Sequence, residues 1–379
     1  MTNSLDKNVQ FALGGHGVKG MGPDVWVRRG LAPEAGEINR NVPYQRIATE
    51  EAWTFPELTA AHIELFESGR RPDDSVLAMA SLFAANQPLQ DMLSDLGEKR
   101  IAHMNDYGID RQLLLLTSPG VQVLEPEVGT AMARLANDKA AAACKKYPDR
   151  FSALAAFAPQ DIEGSVAEIN RAMQELKLNG AVLNSHWQGH YLDEPECAPI
   201  LAALEANDAA LYIHPTMPWN NHSYDNYGMG GALGGFPHDV WVHTMRLILS
   251  GAFDKYPKLR LVIGHMGEAM PLHLYRFDWM QWNAEGATGM HNSTPKPKLK
   301  HPISYYLKTN IWITTSGVAW EPAVKFSMEV LGADRVLYAM DYPYQQSPDE
   351  VASYDKMAIS DEHKKMLMQE NAQHVFRLP

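Results

Sequence analysis

The chain has 379 residues, of which 45% are hydrophobic and 21% are charged, a composition typical of an ordinary globular protein. Its formal net charge of −12 argues against a general nucleic-acid or anionic-membrane surface. Two cysteines without CxxC spacing, and no run of about 18 apolar residues, predict free thiols and no membrane span. Because the N-terminus also lacks an apolar signal-peptide core, we expect a cytoplasmic protein.

The first 44 residues differ in composition from the rest of the chain. They are rich in Gly and Pro, show no clear period and predict an irregular N-terminal arm. Phe11 and Trp26 make this arm too apolar to be purely solvated. We therefore expect residues 1–44 to pack on the main domain or on a partner subunit, and residues 45–379 to form that domain.

Eight short apolar runs follow the arm and predict β-strands. Most of them are nearly continuous in apolar residues, which is typical of parallel strands buried on both faces. In chain order they are RIATEEAW (46–53), RQLLLLTSP (111–119), FSALAAFAP (151–159), GAVLNSH (180–186), ALYIHP (210–215), RLVIGHM (260–266), IWITTSG (311–317) and VLYAMDYP (336–343).

Amphipathic stretches between these strands predict helices. Alternating strands and helices favour an α/β fold, a closed (β/α)8 TIM-type barrel, with insertions after the first strand (54–110) and the fifth (216–239). An open doubly wound sheet is the alternative, and the absence of GxGxxG after the first strand disfavours it. The main predicted helices are 127–147, 165–177, 240–256, 321–332 and 361–378.

Polar side chains end several of the predicted strands, and always at the same end. Glu50 ends the first strand, His214 the fifth, His265 the sixth and Asp341 the eighth. The carboxyl ends of the strands form the active site in such barrels. Carboxylates and imidazoles together suit Zn²⁺, Mn²⁺ or Fe²⁺ rather than Ca²⁺. Glu51 lies on the opposite face of its strand from Glu50, where we expect it to meet helices or a neighbouring charge.

At these strand ends the sequence resembles the amidohydrolase superfamily, specifically its branch of metal-dependent aromatic-acid decarboxylases. It is similar to 5-carboxyvanillate decarboxylase and to the dihydroxybenzoate decarboxylases. The resemblance spans residues 45–378 and is carried by RIATEEAW, LTSPGVQ, KYPDRF, APQD, NSHWQGHYLDE, LYIHP, FDKYP, GHMGEAMP, SGVAWEPA and YAMDYPYQ.

The resemblance implies one divalent metal ion, Zn²⁺ or Mn²⁺ with Fe²⁺ as an alternative. Its ligands would be Glu50, His214 and Asp341. Asp341 would also carry the catalytic proton, and His265 would act beside it near the substrate. Ala52 stands where many superfamily members have a second ligand on the first strand, which is consistent with a single metal.

Substrate contacts are implied for Arg276 and for Tyr344, which in relatives reaches a neighbouring subunit. His186, at the end of the fourth strand, is a further candidate. Relatives supply an arginine for the substrate carboxylate from the segment after the first strand. The corresponding residues 81–97 contain none, which leaves Arg70 or Arg71 as substitutes.

These observations predict an enzyme, a metal-dependent non-oxidative decarboxylase (a lyase) of a hydroxylated aromatic carboxylic acid. A metal-dependent hydrolase and an iron-dependent oxygenase are alternatives on the same barrel. The missing arginine leaves a third alternative, a metal-holding subunit in a hetero-oligomer with a catalytic homologue. We expect a small-molecule substrate, no nucleic-acid or membrane partner, and a homo-oligomer unless such a homologous chain is needed.

Overall fold

Parallel strands alternate with helices along the chain. The computed structural model describes residues 36–70, 76, 86–219, 222–224, 227–282 and 298–379. The strands within these ranges are β1 (Ile47–Trp53), β2 (Arg111–Leu116), β3 (Phe151–Ala153), β4 (Ala155–Ala156), β5 (Ala181–Leu183), β6 (Leu211–Ile213), β7 (Leu261–Ile263), β8 (Ile311–Thr314) and β9 (Val336–Leu337).

Every hydrogen-bonded pair of these strands is parallel, in the orders β1-β2-β3 and β4 through β9. Only Leu154 separates β3 from β4, and its amide continues the ladder to β2 at 2.9 Å. At the other end of the series, the amides of Thr49 and Ala52 in β1 donate to the carbonyls of Tyr338 (3.1 Å) and Tyr342 (2.7 Å). These bonds connect the first strand to the segment that follows the last one.

The strand interiors are buried, as their continuous apolar runs predict. Every residue of β1 and β2 is buried, including the polar ones. A β-bulge interrupts β1 at the position of its two glutamates: Ala48 lies opposite Gln112, but Glu51 lies opposite Leu114. The extra residue in this interval bends the strand as Glu50 enters the site, a common use of bulges near active sites.

Helices cover the outside of the strands, and proline begins several of them because the first helical position needs no backbone N–H. Side-chain caps begin others, as where Asp161 accepts from the Gly164 amide at 2.9 Å. Within the described residues the α-helices are Pro56–Glu67, Gln87–Ser94, Glu98–Tyr107, Pro126–Lys146, Ile162–Gln174, Ala198–Ala206, Gly235–Leu249, Ala252–Lys255, Leu274–Trp282, Ile303–Thr309, Glu321–Leu331, Pro348–Lys356, Asp361–Lys365 and Asn371–Phe376, with a short, distorted helical turn at His265–Glu268 and a π-helix at Met366–Glu370.

The structure differs from the sequence prediction in two helices and in the first insertion. The predicted helix 240–256 begins earlier and is interrupted at Gly251, whose φ of +79° lies in the left-handed region that ends helices. The predicted helix 361–378 contains the π-helical turn. The described part of the predicted insertion 54–110 holds three helices, Pro56–Glu67, Gln87–Ser94 and Glu98–Tyr107.

Only the end of the N-terminal arm lies within the described residues, and it contacts the domain. Asn39 donates its amide to Asp355 at 2.8 Å, and Arg40 donates to the carbonyls of Asn105 and Asp106. Residues 1–35 lie outside the described ranges. Both cysteines are free thiols, as predicted. No helix in the described ranges is long and apolar enough to cross a bilayer.

Candidate metal centre and active site

Three side chains from distant parts of the sequence converge at the carboxyl ends of the strands. Glu50 comes from β1, His214 follows β6 directly, and Asp341 lies shortly after β9. One ligand atom from each lies within 4.8 Å of the other two. Glu50 and His214 are buried, whereas Asp341 is half-buried. The geometry therefore brings together the three residues for which the sequence predicts metal binding.

The two carboxylate oxygens of Glu50 differ in their hydrogen bonding. Its Oε2 accepts from the hydroxyl of Thr314 at 2.9 Å and from those of Tyr212 and Ser316. Its Oε1 is buried and accepts no hydrogen bond from the part of the chain that the structure describes. Burial raises the pKa of Glu50, but His265, His214 and the hydroxyl donors outweigh it and lower that pKa. The result is an ionised carboxylate whose buried Oε1 accepts no hydrogen bond within the described chain and faces Nε2 of His265 at 3.5 Å and Nε2 of His214 at 3.8 Å, a position suited to a cation.

His214 is oriented so that its outer nitrogen faces Glu50. Its Nδ1 lies 2.8 Å from Oδ1 of Asn184, and its Nε2 lies 3.8 Å from Oε1 of Glu50. The amide nitrogen of Asn184 donates to the carbonyls of Leu116 and Thr117, so its Oδ1 must accept the proton from His214. Burial lowers the pKa of His214 to about 4. The ring is therefore neutral, with a lone pair on Nε2 available to a metal.

Asp341 occupies a rare backbone conformation beside this pair. Its φ of +73° lies in the left-handed region, which is unfavourable for residues other than glycine and recurs at functional sites. Burial and then the charge of Glu50 raise the pKa of Asp341 well above its usual value. Together with one imidazole and one neighbouring carboxylate, Asp341 completes an N/O donor set suited to one divalent metal ion such as Mn²⁺ or Zn²⁺.

His265 lies on the other side of Glu50 and is held by a tight turn. Its Nε2 lies 3.5 Å from Oε1 of Glu50, and its Nδ1 lies 2.8 Å from Oε1 of Glu268. Burial alone would lower the pKa of His265, but these two carboxylates raise it to about 10. A Cβ at the preceding Gly264 would lie 2.8 Å from Oε2 of Glu50. Only glycine leaves room for the carboxylate at this point.

The other predicted site residues lie farther out. His186 is buried, with Nε2 donating to the carbonyl of Met217 at 2.8 Å. The Tyr344 hydroxyl lies 2.6 Å from that of Thr117. Arg276 is exposed on the helix Leu274–Trp282.

Of the two candidates for the missing arginine, only Arg70 lies within the described residues. Arg70 is exposed just beyond the helix Pro56–Glu67. Arg71 and residues 81–85 lie outside the described ranges.

Sequence reasoning missed the residues that surround the ligands. Asn184, Thr314 and Ser316 stand out as polar strand ends, but the sequence does not say which ligand each one contacts. Tyr212 carries a usable signal, since it lies two positions before His214 and so on the same face of β6. An aromatic hydroxyl at that spacing points into the same site as the histidine.

A comparison with known families identifies the chain. Residues 61–378 match the family model described as amidohydrolase. The chain belongs to the amidohydrolase family. Its three converging side chains at the carboxyl ends of the strands form a candidate metal site consistent with one divalent ion.

This amidohydrolase is similar to several decarboxylases. It is 31% identical over 304 residues to the gamma-resorcylate decarboxylase of Polaromonas sp., across 76% of this chain and 90% of the relative. A solved 5-carboxyvanillate decarboxylase from Novosphingobium aromaticivorans is 44% identical, with a TM-score of 0.85 over 91% of this chain and 100% of that one. A 2,6-dihydroxybenzoate decarboxylase from Rhizobium is 28% identical, with a TM-score of 0.75 over 88% and 99% of the two chains.

These similarities confirm the predicted (β/α)8 TIM-type fold of the amidohydrolase and its membership of the decarboxylase branch. The Novosphingobium structure contains manganese and 3-methoxy-4-hydroxy-5-nitrobenzoic acid, a hydroxylated aromatic acid. Bound manganese there and the Glu50, His214 and Asp341 cluster here agree with the predicted single divalent metal.

Proposed function

We propose that this amidohydrolase is a metal-dependent non-oxidative decarboxylase of a hydroxylated aromatic carboxylic acid. The observation that carries the proposal is the cluster of Glu50, His214 and Asp341, whose buried Glu50 Oε1 accepts no hydrogen bond from the described residues, in a chain whose relatives are decarboxylases. Those relatives give no support to the hydrolase, oxygenase or metal-holding alternatives.

Glu50, His214 and Asp341 would hold the metal ion. When bound, such an ion supplies Lewis-acid polarisation of the phenolate and carboxylate oxygens and fixes the orientation of the substrate. The neutral Nε2 of His214 and the free Oε1 of Glu50 would provide its nitrogen and oxygen ligands.

Asp341 would carry the proton for the reaction. In the metal-free chain, burial and the charge of Glu50 raise the pKa of Asp341, which is the direction that favours a general acid near neutral pH. In the proposed step Asp341 protonates the ring carbon that carries the carboxylate. The bond between that carbon and the carboxylate then breaks, CO₂ leaves, the bonding electrons restore the aromatic ring, and the aspartate regains a proton from water.

The remaining predicted residues would bind the substrate around this centre. His265 lies against Glu50 and Glu268 and would donate a hydrogen bond to a substrate oxygen. Arg276, His186 and Tyr344 stay predictions for substrate binding. Arg276 is exposed within one chain and would need a partner subunit or a closing loop to reach an anionic oxygen.

We propose a homo-oligomer as the working form. Tyr275 and Trp282 are 82% and 64% exposed on the helix that carries Arg276, and large exposed apolar side chains of this kind are typical of subunit contacts. Light scattering of the purified chain tests this, and a monomer at all concentrations would contradict it. A requirement for a second, homologous chain would favour the hetero-oligomer instead. The cytoplasmic location stays a prediction from the sequence.

Carbon dioxide release tests the proposed activity. The purified chain, loaded with Mn²⁺, is incubated with a panel that includes 5-carboxyvanillate and 2,6-dihydroxybenzoate. We expect stoichiometric CO₂ and decarboxylated product from at least one hydroxylated acid, and none after chelation of the metal. Hydrolysis of a ring-cleavage product without any CO₂ release would overturn the proposal.

A further inference from the structure

A buried arginine lies directly behind the metal centre, on the insertion that follows β1. Arg100 is 1% exposed and belongs to the helix Glu98–Tyr107. Its backbone amide donates to Asp95 at 2.8 Å, which fixes the start of that helix. Both of its terminal nitrogens donate to the carbonyl of Ala52 at 3.0 Å. Its guanidinium carbon lies 4.5 Å from the centre of the Tyr342 ring.

A second branch of hydrogen bonds leads from Arg100 through Gln112 of β2 and Glu51 to Met340, the residue before Asp341. The Nε of Arg100 donates to Oε1 of Gln112 at 2.6 Å, and Nε2 of Gln112 donates to Oε2 of Glu51 at 3.2 Å. The other oxygen of Glu51 accepts from the amide of Met340 at 3.0 Å. Every side chain of this branch is buried, so water cannot replace a lost partner.

The two branches reach the residues on either side of Asp341. One meets the ring of Tyr342 and the other meets the amide of Met340, while the amide of Ala52 also donates to the Tyr342 carbonyl at 2.7 Å. Asp341 is thus held at a φ of +73°, a conformation that is unfavourable for a residue with a Cβ. Such a conformation persists only where its surroundings fix it.

The same branches hold the end of β1 around Glu50. Glu51 and Ala52 follow Glu50 directly. Gln112 connects Arg100 to Glu51, and Arg100 itself donates to the carbonyl of Ala52. Glu50 lies in the bulge of β1, where the strand ladder supports it less. The network therefore connects two of the three candidate metal ligands without touching either of them.

We propose that Arg100 is a positioning residue for the metal centre, acting through Ala52, Gln112 and Glu51 to hold Glu50 and Asp341 at the separation that a metal needs. Two nitrogens of its planar guanidinium group donate to the carbonyl of Ala52, and the third donates to Gln112. The single ammonium group of lysine cannot reproduce this arrangement. The expected effect of Arg100 on catalysis rests on the proposed decarboxylase function. The expected effect of Arg100 on metal affinity does not depend on that function.

A merely structural arginine is available as a control. Arg111 lies at the start of β2, is 5% exposed, and donates to the carbonyl of Pro148 and the hydroxyl of Ser152 at 2.9 and 3.0 Å. It begins the strand, whereas the metal centre lies beyond the strands' carboxyl ends. Arg111→Lys therefore removes comparable buried hydrogen bonds without reaching the centre.

The test compares Arg100→Lys, Gln112→Met and Arg111→Lys with the unaltered chain. Gln112→Met leaves the arginine in place, cuts only the second branch and is the milder change. Mn²⁺ affinity is measured by titration with electron paramagnetic resonance, stability by thermal unfolding after chelation, and kcat and KM by CO₂ release.

We expect Arg100→Lys and Gln112→Met to weaken Mn²⁺ binding about 10- to 100-fold, as loss of an outer-shell partner does. We expect kcat to fall with them while KM changes less, and Arg111→Lys to lower only the melting temperature. Mn²⁺ affinity and kcat within twofold of the unaltered chain in both test variants would overturn the proposal. An equal loss of Mn²⁺ affinity in Arg111→Lys would do the same. An unaltered chain that binds Mn²⁺ but releases no CO₂ would contradict the proposed function alone, since the affinity comparison still decides the role of Arg100.

Discussion

Asn184 accepts a hydrogen bond from Nδ1 of His214 at 2.8 Å, and so directs the other ring nitrogen towards Glu50. The amide group of Asn184 is itself held by two backbone carbonyls at the end of β2. This fixes the tautomer of His214 before any metal binds. Asn184, which follows β5, thus links the end of β2 to His214 at the end of β6 and orients this candidate ligand.

Replacing Asn184 should therefore weaken metal binding. We expect Asn184→Ala to raise the dissociation constant for Mn²⁺ about 10- to 100-fold, because the ring of His214 loses its orientation. Asn310 provides a matched control. It is buried and also donates to two backbone carbonyls, but at the start of β8. Titration of both alanine variants with Mn²⁺ measures the difference, and equal affinities would contradict the role of Asn184.

Adding a single methyl group at Gly264 should disturb the centre. The new Cβ would lie 2.8 and 3.0 Å from the two carboxylate oxygens of Glu50. We expect Gly264→Ala to lower the free energy of unfolding by about 1–3 kcal/mol, as overpacking does, and to weaken Mn²⁺ binding. Gly231→Ala is the control, because its Cβ would meet nothing within 4 Å. Urea denaturation with and without Mn²⁺ measures both effects. If the stability and Mn²⁺ binding of Gly264→Ala equal those of the unaltered chain, the carboxylate of Glu50 can move aside.

Removing the acidic proton of Asp341 should stop catalysis. We expect Asp341→Asn to lower kcat at least about 100-fold, the usual contribution of a positioned general acid, because an amide cannot deliver a proton to the ring carbon. Elemental analysis of the purified variant reports its metal content, and CO₂ release reports its activity. A variant that keeps both its metal and full activity would rule out the proposed role.

Acid should destabilise the fold through a histidine remote from the proposed ligands. Burial first, and then the charges of His186 and Arg246, lower the pKa of His243 to about 3. The unfolded chain therefore binds a proton on this ring at a higher pH than the folded one does. The stability that the neutral ring confers is complete above its ordinary pKa of 6.5 and is lost as the pH falls towards 3.

Protonation linked to His243 should lower the free energy of unfolding by about 2–3 kcal/mol between pH 7 and pH 4.5. His243→Gln has no titrating ring, so its stability should fall less over the same interval. Urea unfolding at both pH values, with the metal chelated in both proteins, measures the difference. Parallel losses in the two proteins would show that other groups cause the acid sensitivity.

Much of the fold could be predicted because its signals are local. Continuous apolar runs such as RQLLLLTSP report burial on both faces, and this pattern survives in β2, where every residue is buried. The interruption at Gly251 was harder to predict, because a glycine within a helical pattern is compatible with either continuation or an end. The bulge in β1 has no local signal, since it depends on the register with β2.

The ligands themselves could be predicted for a related reason. Glu50, His214 and Asp341 each follow an apolar run, so the end of the strand locates them without knowledge of their neighbours. Arg276 was predicted only from the resemblance to the decarboxylases and lies exposed on a helix, where a sequence does not reveal what another subunit or loop brings to it.

The sequence by itself determined the parallel α/β architecture and the polar ends of the strands, because periodicity and strand ends are properties of neighbouring residues. Its resemblance to the decarboxylases then selected the three candidate ligands among those strand ends. Only the tertiary structure decided what surrounds those ligands. The hydroxyls on Glu50 come from residues 162 to 266 positions away, and Arg100 meets Ala52 across 48 positions. Such pairs depend on strand register and on how an insertion packs, and both are set by burial of the whole core rather than by any local pattern.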